Sequence, residues 1–189
     1  MWYYINTKFD NFKRGATLDY KTHRIGGICT GIITVTTFAV SADPSEKIVF
    51  SAALILGSYI GSLIPDLDHP KSLIGRKFKV LSKGINKTFG HRGITHTPLF
   101  LIIYSILIMR LPNIFQGYVK TIVQYFSFGT IIGYISHLIL DFITVGGIPL
   151  LYPISKRHFR IARFRSSSHK NIITGLCIVI TLIIIATNK

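Results

Sequence analysis

Acidic residues are scarce in this chain: 7 Asp and Glu stand against 22 Lys and Arg in 189 residues, a formal net charge of +15. Charged residues of both signs make up only 15%, below the roughly 25% of an average soluble domain. Cysteine is almost absent too. Cys29 and Cys177 are the only two, and both lie inside apolar runs. They read as small hydrophobic residues, which leaves no disulfide framework and no thiolate metal site. A strong basic excess normally suggests nucleic acid. Here the basic clusters alternate with apolar runs instead of covering one soluble face, which argues against that partner.

What is abundant is hydrophobic sequence, 49% of the chain, in long stretches of Ile, Leu, Val and Phe separated by Lys and Arg. This pattern predicts an all-α, polytopic membrane helix bundle with basic loops. Five spans meet a length of roughly 17–25 apolar residues: Arg24–Ala42, Ile48–Ile64, Ile94–Leu111, Thr121–Ile143 and Asn171–Thr187. The third and fifth are short and call for tilt, thinning or close packing. Residues 1–22 form a basic N-terminal segment, and 23–189 read as one membrane-embedded domain. "VSA" at 40–42 faintly resembles a signal-peptidase site, but the basic leader before it is too long for a usual signal peptide. The first span is therefore expected to stay as a helix.

Lys and Arg number five up to Arg24, seven in Lys71–Arg92 and six in Lys156–Lys170; only Lys47, Arg110, Lys120 and Lys189 fall on the other side. This asymmetry predicts a cytoplasmic N-terminus and a C-terminus outside. Three spans carry GxxxG pairs, Gly27/Gly31, Gly57/Gly61 and Gly129/Gly133, which together suggest tight packing. Between spans two and three, Leu73–Phe89 sets Ile74, Phe78, Leu81 and Ile85 on one helical face and Lys79, Lys83 and Lys87 on the other. It is expected to lie as an interfacial amphipathic helix on the anionic cytoplasmic leaflet.

Ionisable groups are costly near hydrocarbon, yet they gather at span ends. His23 opens span one. Asp66, Asp68 and His69 follow span two, His91 and His96 precede span three, and His137 and Asp141 end span four. Alternating span direction brings all four clusters to the cytoplasmic face. His137 and Asp141, four residues apart, share one helical face. Thr97 and Pro98 suit the N-cap and first turn of span three, placing His96 at its mouth. Sharing metal between histidines and carboxylates would neutralise the acids. The expected ligands are His23, Asp66, Asp68, His69, His91, His96, His137 and Asp141, enough for one or two divalent ions, with zinc favoured and manganese or iron suitable. His158 and His169 have no acidic neighbours and read as solvated loop residues.

"THRIGG", "GSLIPDLDHPKS", "GHRGITHTP" and "SHLILDFITVGGIPLLYP" resemble the YdjM-like membrane-bound metal-dependent hydrolases over about residues 22–165. The spacing of His and Asp is also distantly similar to the helical zinc-dependent phospholipase C proteins. The resemblance implies a metal-dependent hydrolase in a bacterial inner membrane. Beside membrane lipids, the expected substrate is a phosphorylated lipid or another amphiphilic ester, attacked by water that the metal activates. Asp68 is expected as ligand, bridge or general base, and Arg92 as a substrate-phosphate holder, helped by Arg160 and Arg163. "TVGGIPLLYPIS" at 144–155 is expected to cover the site as a re-entrant or interfacial loop. A metal transporter and a scaffold with a structural metal are the rival readings, and the oligomeric state stays open.

Overall fold

The computed structural model describes residues 20–38, 43–161 and 166–188. Most of the basic N-terminal segment, "VSA" at 40–42 and Arg163 lie outside them. Among the described residues the protein is helical, with an isolated antiparallel bridge between Ile148 and Phe159. The helices are α1 (Tyr20–Thr37), α2 (Pro44–Gly61), α3 (Leu73–Lys77), α4 (Lys79–Phe89), α5 (Pro98–Ile108), α6 (Gly117–Phe142) and α7 (Ser166–Thr187). Short 3-10 turns at Pro65–Asp68 and Ile94–His96 carry site residues between them.

Local chemistry fixes several of these boundaries. Asp43 caps α2 by accepting from Ser45 N at 2.9 Å, with Pro44 in the first turn. Thr97 caps α5, its hydroxyl accepting from Phe100 N at 3.0 Å, as the Thr97–Pro98 pair predicts. The expected amphipathic helix Leu73–Phe89 is two helices, because Phe78 leaves helical geometry at φ −108°, ψ 50°. The first piece is tied to the preceding turn: the Ser72 hydroxyl accepts from Gly75 N, and a Cβ on Gly75 would stand 2.1 Å from His69 O.

Two helical segments are long and apolar enough to cross a membrane, Pro44–Asp68 and Gly117–Phe142. The 26 residues of α6 extend about 39 Å at 1.5 Å per residue, more than the roughly 30 Å of a hydrocarbon core. Pro98–Ile114 and Asn171–Thr187 are shorter apolar helical stretches. The third expected span is cut down because Ile94–His96 turns as 3-10 before Pro98 starts α5, which has 11 residues. The polarity of the molecule is inverted relative to a water-soluble one. Among the described residues 19 polar or charged side chains are buried against 8 hydrophobic ones. Leu99, Ile102 and Leu107 on α5 and Leu176, Leu182 and Ile183 on α7 are exposed. Such outer faces suit hydrocarbon better than water.

The most extensive helix contact is α2 on α6, and α1 packs against both and against α7. The GxxxG pairs of α2 and α6 face each other. A Cβ on Gly57 or Gly61 would fall 2.2 Å from Phe126 O or 2.0 Å from Thr130 O. On the opposite side, a Cβ on Gly129 or Gly133 would fall 2.1 Å from Leu54 O or 1.9 Å from Ser58 O. The two backbones touch, so neither can yield. Gly133→Ala should therefore destabilise the detergent-solubilised protein by about 1–3 kcal/mol, the usual cost of overpacking. Gly84→Ala, inside α4 where nothing lies within 4 Å, should leave the melting temperature unchanged or raise it slightly. Equal melting temperatures for the two variants would refute the backbone contact.

Candidate metal centre

Antiparallel packing brings four chain segments to one end of the bundle. His23 sits one turn into α1. The 3-10 turn after α2 delivers Asp66 and Asp68, the turn before α5 delivers His96, and the last two turns of α6 deliver His137 and Asp141. The structure thus brings together His23, Asp66, His96, His137 and Asp141. His23 and His137 stack with ring centroids 3.8 Å apart and planes at 16°.

The tautomers of the two central histidines follow from their partners. His137 Nδ1 lies 2.7 Å from Ser62 O, and His96 Nδ1 lies 3.0 Å from Asp68 Oδ2. A carbonyl and a carboxylate only accept, so Nδ1 carries a proton in both rings, and in the neutral form of each ring Nε2 presents a lone pair. Those two nitrogens face each other across 3.3 Å. Asp141 Oδ2 stands 3.3 Å from His96 Nε2 and 3.5 Å from His137 Nε2. His23 Nε2 is 3.5 Å from Asp141 Oδ1, and Asp66 Oδ1 is 3.9 Å from His137 Nε2. His23, His137 and Asp141 form one group able to hold a metal ion, and Asp66, His96 and His137 another.

Such a set fits a cation on two counts. Acceptors turned inward repel one another unless a proton or metal ion lies among them. Ligand atoms about 2.0–2.1 Å from a tetrahedral zinc stand about 3.3–3.4 Å apart, the same spacing as the His96–His137–Asp141 triangle. The side chains of His96 and His137 are 0% exposed, those of Asp141 and His23 2% and 3%, and that of Asp66 14%. Asp66 is thus the most exposed of the five.

Asp68 stands behind this cage. Its Oδ1 accepts from His91 Nδ1 at 3.0 Å, and its Oδ2 accepts from Arg92 N, Thr95 Oγ1 and His96 Nδ1 at 2.8–3.0 Å. Four donors occupy both carboxylate oxygens, the arrangement of a group that orients ligands. His69 and His91 lie farther out, with ring centroids 4.7 Å apart, and belong to neither ligand group. Burial disfavours the His91 cation, but the hydrogen bond and charge of Asp68 outweigh it, raising its pKa above the ordinary histidine value. Burial and then the charge of His91 hold the His69 pKa below it.

Arg92 is turned inward. Its side chain is 5% exposed and NH2 pairs with Asp141 Oδ1, while NH1 donates to Thr144 Oγ1 at 3.2 Å and Gly147 O at 3.4 Å. Arg92 adopts φ 59°, rare for a residue with a side chain. Segment 144–155 is a strap that closes over this end. Ile148 is buried against Tyr134 and Leu138, and the Ile148–Phe159 bridge fastens the strap to its return. Leu151 and Ile154 are exposed on it. Arg160 donates to Val145 O at 2.7 Å within the same strap.

Sequence reasoning missed several supporting groups. Thr95 donates to Asp68, Asn86 Nδ2 donates to Asp68 O at 2.8 Å, and Tyr134 donates to Thr95 O. Tyr134 was the findable one, since 134, 137 and 141 share a helical face. The Ser62 carbonyl carries no side-chain signal at all.

The family model described as YdjM inner membrane protein matches residues 18–189. YvsG of Bacillus subtilis (strain 168) is 43% identical over 138 residues, covering 72% of this chain and 74% of that protein. The inner membrane protein YdjM of Escherichia coli (strain K12) is 36% identical over 110 residues, 57% of this chain. That match spans about half of the relative's own length, 53%, and its Shigella flexneri counterpart gives the same figures. No solved structure matches. With a match running from residue 18 to the last residue, the chain belongs to the YdjM inner membrane protein family.

Proposed function

We propose that the protein is a metal-dependent hydrolase with its site at the cytoplasmic membrane interface, acting on a phosphoester or another lipid-derived ester. The observation carrying this reading is the triangle of His96 Nε2, His137 Nε2 and Asp141 Oδ2, with edges of 3.3, 3.5 and 3.3 Å. His23 and Asp66 complete the donor set. His137 has one inward nitrogen and both ligand groups need it, so the cage suits one ion. Nitrogen and oxygen donors together suit zinc, with manganese or iron as alternatives. A divalent ion there would supply Lewis acidity and water activated near neutral pH.

The chain's own groups then have separate roles. Asp68 holds His96 and His91 in fixed tautomers. Arg92 engages Asp141 Oδ1 and so leaves Oδ2 for the cage. Asp66 is the most exposed of the five donors. The reading also keeps five membrane crossings, with the N-terminus cytoplasmic and the C-terminus outside, supported by the Lys and Arg asymmetry. The near-complete burial of four ligands favours one second reading, a purely structural metal, since structural sites are closed.

His96→Ala and Asp141→Ala should each abolish stoichiometric metal in elemental analysis. Asp68→Asn should keep the metal but weaken its affinity about 10–100-fold, the usual effect of losing an orienting partner. His158→Ala and His169→Ala should match the wild type in metal content. Unchanged metal in the first two variants would mean the cage is held by protons alone. Incubation of the metal-loaded protein with bacterial lipid extract should change a phospholipid or phosphorylated lipid in mass spectra, and the His137→Ala protein should change none. A protein that melts on chelation but cleaves nothing would favour the structural metal.

Orientation has its own check, in a background lacking Cys29 and Cys177. An impermeant thiol reagent applied to intact cells should label a cysteine at Asn188 and spare one at Gly84. The opposite pattern would put the site on the other face.

A further inference from the structure

Beside the cage a cleft of about 140 Å³ opens between the Gly90–Gly93 turn and the strap that follows α6; Phe89, His91, Arg92, Tyr152, Lys156 and His158 are among its lining residues. Among the described residues no Asp or Glu lines it. Pockets for whole drug-sized ligands run to about 300–1,000 Å³. This cleft has room for one small group and not for an entire amphiphile.

Its lining is chemically one-sided. Lys156 brings fixed positive charge, Arg92 a guanidinium whose NH2 is already paired with Asp141, and Tyr152 and Thr88 bring hydroxyls. Arg92 is 5% exposed and its Nε is buried with no hydrogen-bond partner, although NH1 and NH2 are both engaged. A buried guanidinium donor without an acceptor is uncommon. It lies on a residue held at φ 59° by its own N–H donating to Asp68 Oδ2 at 2.9 Å, the kind of backbone strain that concentrates at working sites. His158, which the sequence assigns to a solvated loop, is fixed here by Nδ1 donating to Gly146 O at 3.0 Å. The strap thus carries Lys156 and His158 to the same cleft wall, though neither has an acidic neighbour in sequence.

We propose that this cleft is the phosphate-recognition subsite of the centre, taking a terminal phosphomonoester, with Arg92 as its floor and Lys156 as its wall. The proposal deepens the hydrolase reading and rests on it for what happens to the phosphate, but not for the binding itself. The phosphate can come from a lipid headgroup or from a soluble phosphomonoester. Exposed Leu151 and Ile154 flank Tyr152 on the strap and would offer an acyl chain an apolar surface.

The test uses the full chain in detergent, metal content measured in parallel, with inorganic phosphate titrated calorimetrically. Lys156→Ala should weaken phosphate binding at least tenfold while keeping wild-type metal content, and Lys120→Ala should change neither. Lys156 is exposed, so its loss should not unfold the protein. Competition then separates the sources. Short-chain phosphatidic acid displacing phosphate at far lower concentration than glycerol phosphate identifies a lipid headgroup, whereas equal potency identifies a soluble ester. No saturable phosphate binding, or equal affinity in Lys156→Ala and wild type, overturns the subsite. Intact binding with no phosphomonoester hydrolysed by the metal-loaded protein keeps the subsite and removes the hydrolase reading.

Discussion

Acceptor atoms buried face to face are the constraint around which this protein is organised. Two imidazole nitrogens and a carboxylate oxygen meet within 3.5 Å at a place with almost no solvent. In an apolar bundle that arrangement is repulsive unless something positive shares it. The surrounding structure reads as the means of holding it. Asp68 and the Ser62 carbonyl turn the rings inward, Arg92 neutralises one side of Asp141, and the glycine contact between α2 and α6 sets the depth at which Ser62 meets His137.

Much of this was legible before any coordinates. Counting span directions was enough to put His23, Asp66, His96, His137 and Asp141 at one end, because helix direction alternates whatever the packing. The paired glycines of α2 and α6 announced a close approach, and Thr97–Pro98 announced the start of α5. Roles inside the cluster were not legible. Asp66 and Asp68 lie two residues apart in one turn, yet one faces the cage and the other accepts four hydrogen bonds behind it. No spacing rule separates them, since the turn's rotation is set by what packs against it.

The same reason accounts for the readings that shifted. Leu73–Phe89 has an unbroken amphipathic period, but Gly75 is pinned against His69 O and the helix restarts after Phe78. Arg92, expected from the sequence as a substrate-phosphate holder, turns its guanidinium inward onto Asp141 and Thr144 from a left-handed backbone position that no spacing rule announces. Of the five expected spans, the third loses its first turn to the 3-10 geometry that aims His96. Site geometry was obtained at the expense of regular helix.

The His137 bond to Ser62 O has a consequence for how the site can vary. Its partner is a main-chain atom, supplied by any amino acid that tolerates the tight contact between residue 62 and Gly27. Inheritance at position 62 is thereby uncoupled from ring orientation at position 137. A lineage could exchange the side chain for another small one many times without disturbing the imidazole, yet a half-turn slide of one helix past the other would disturb it at once. The letter is replaceable; the register is not.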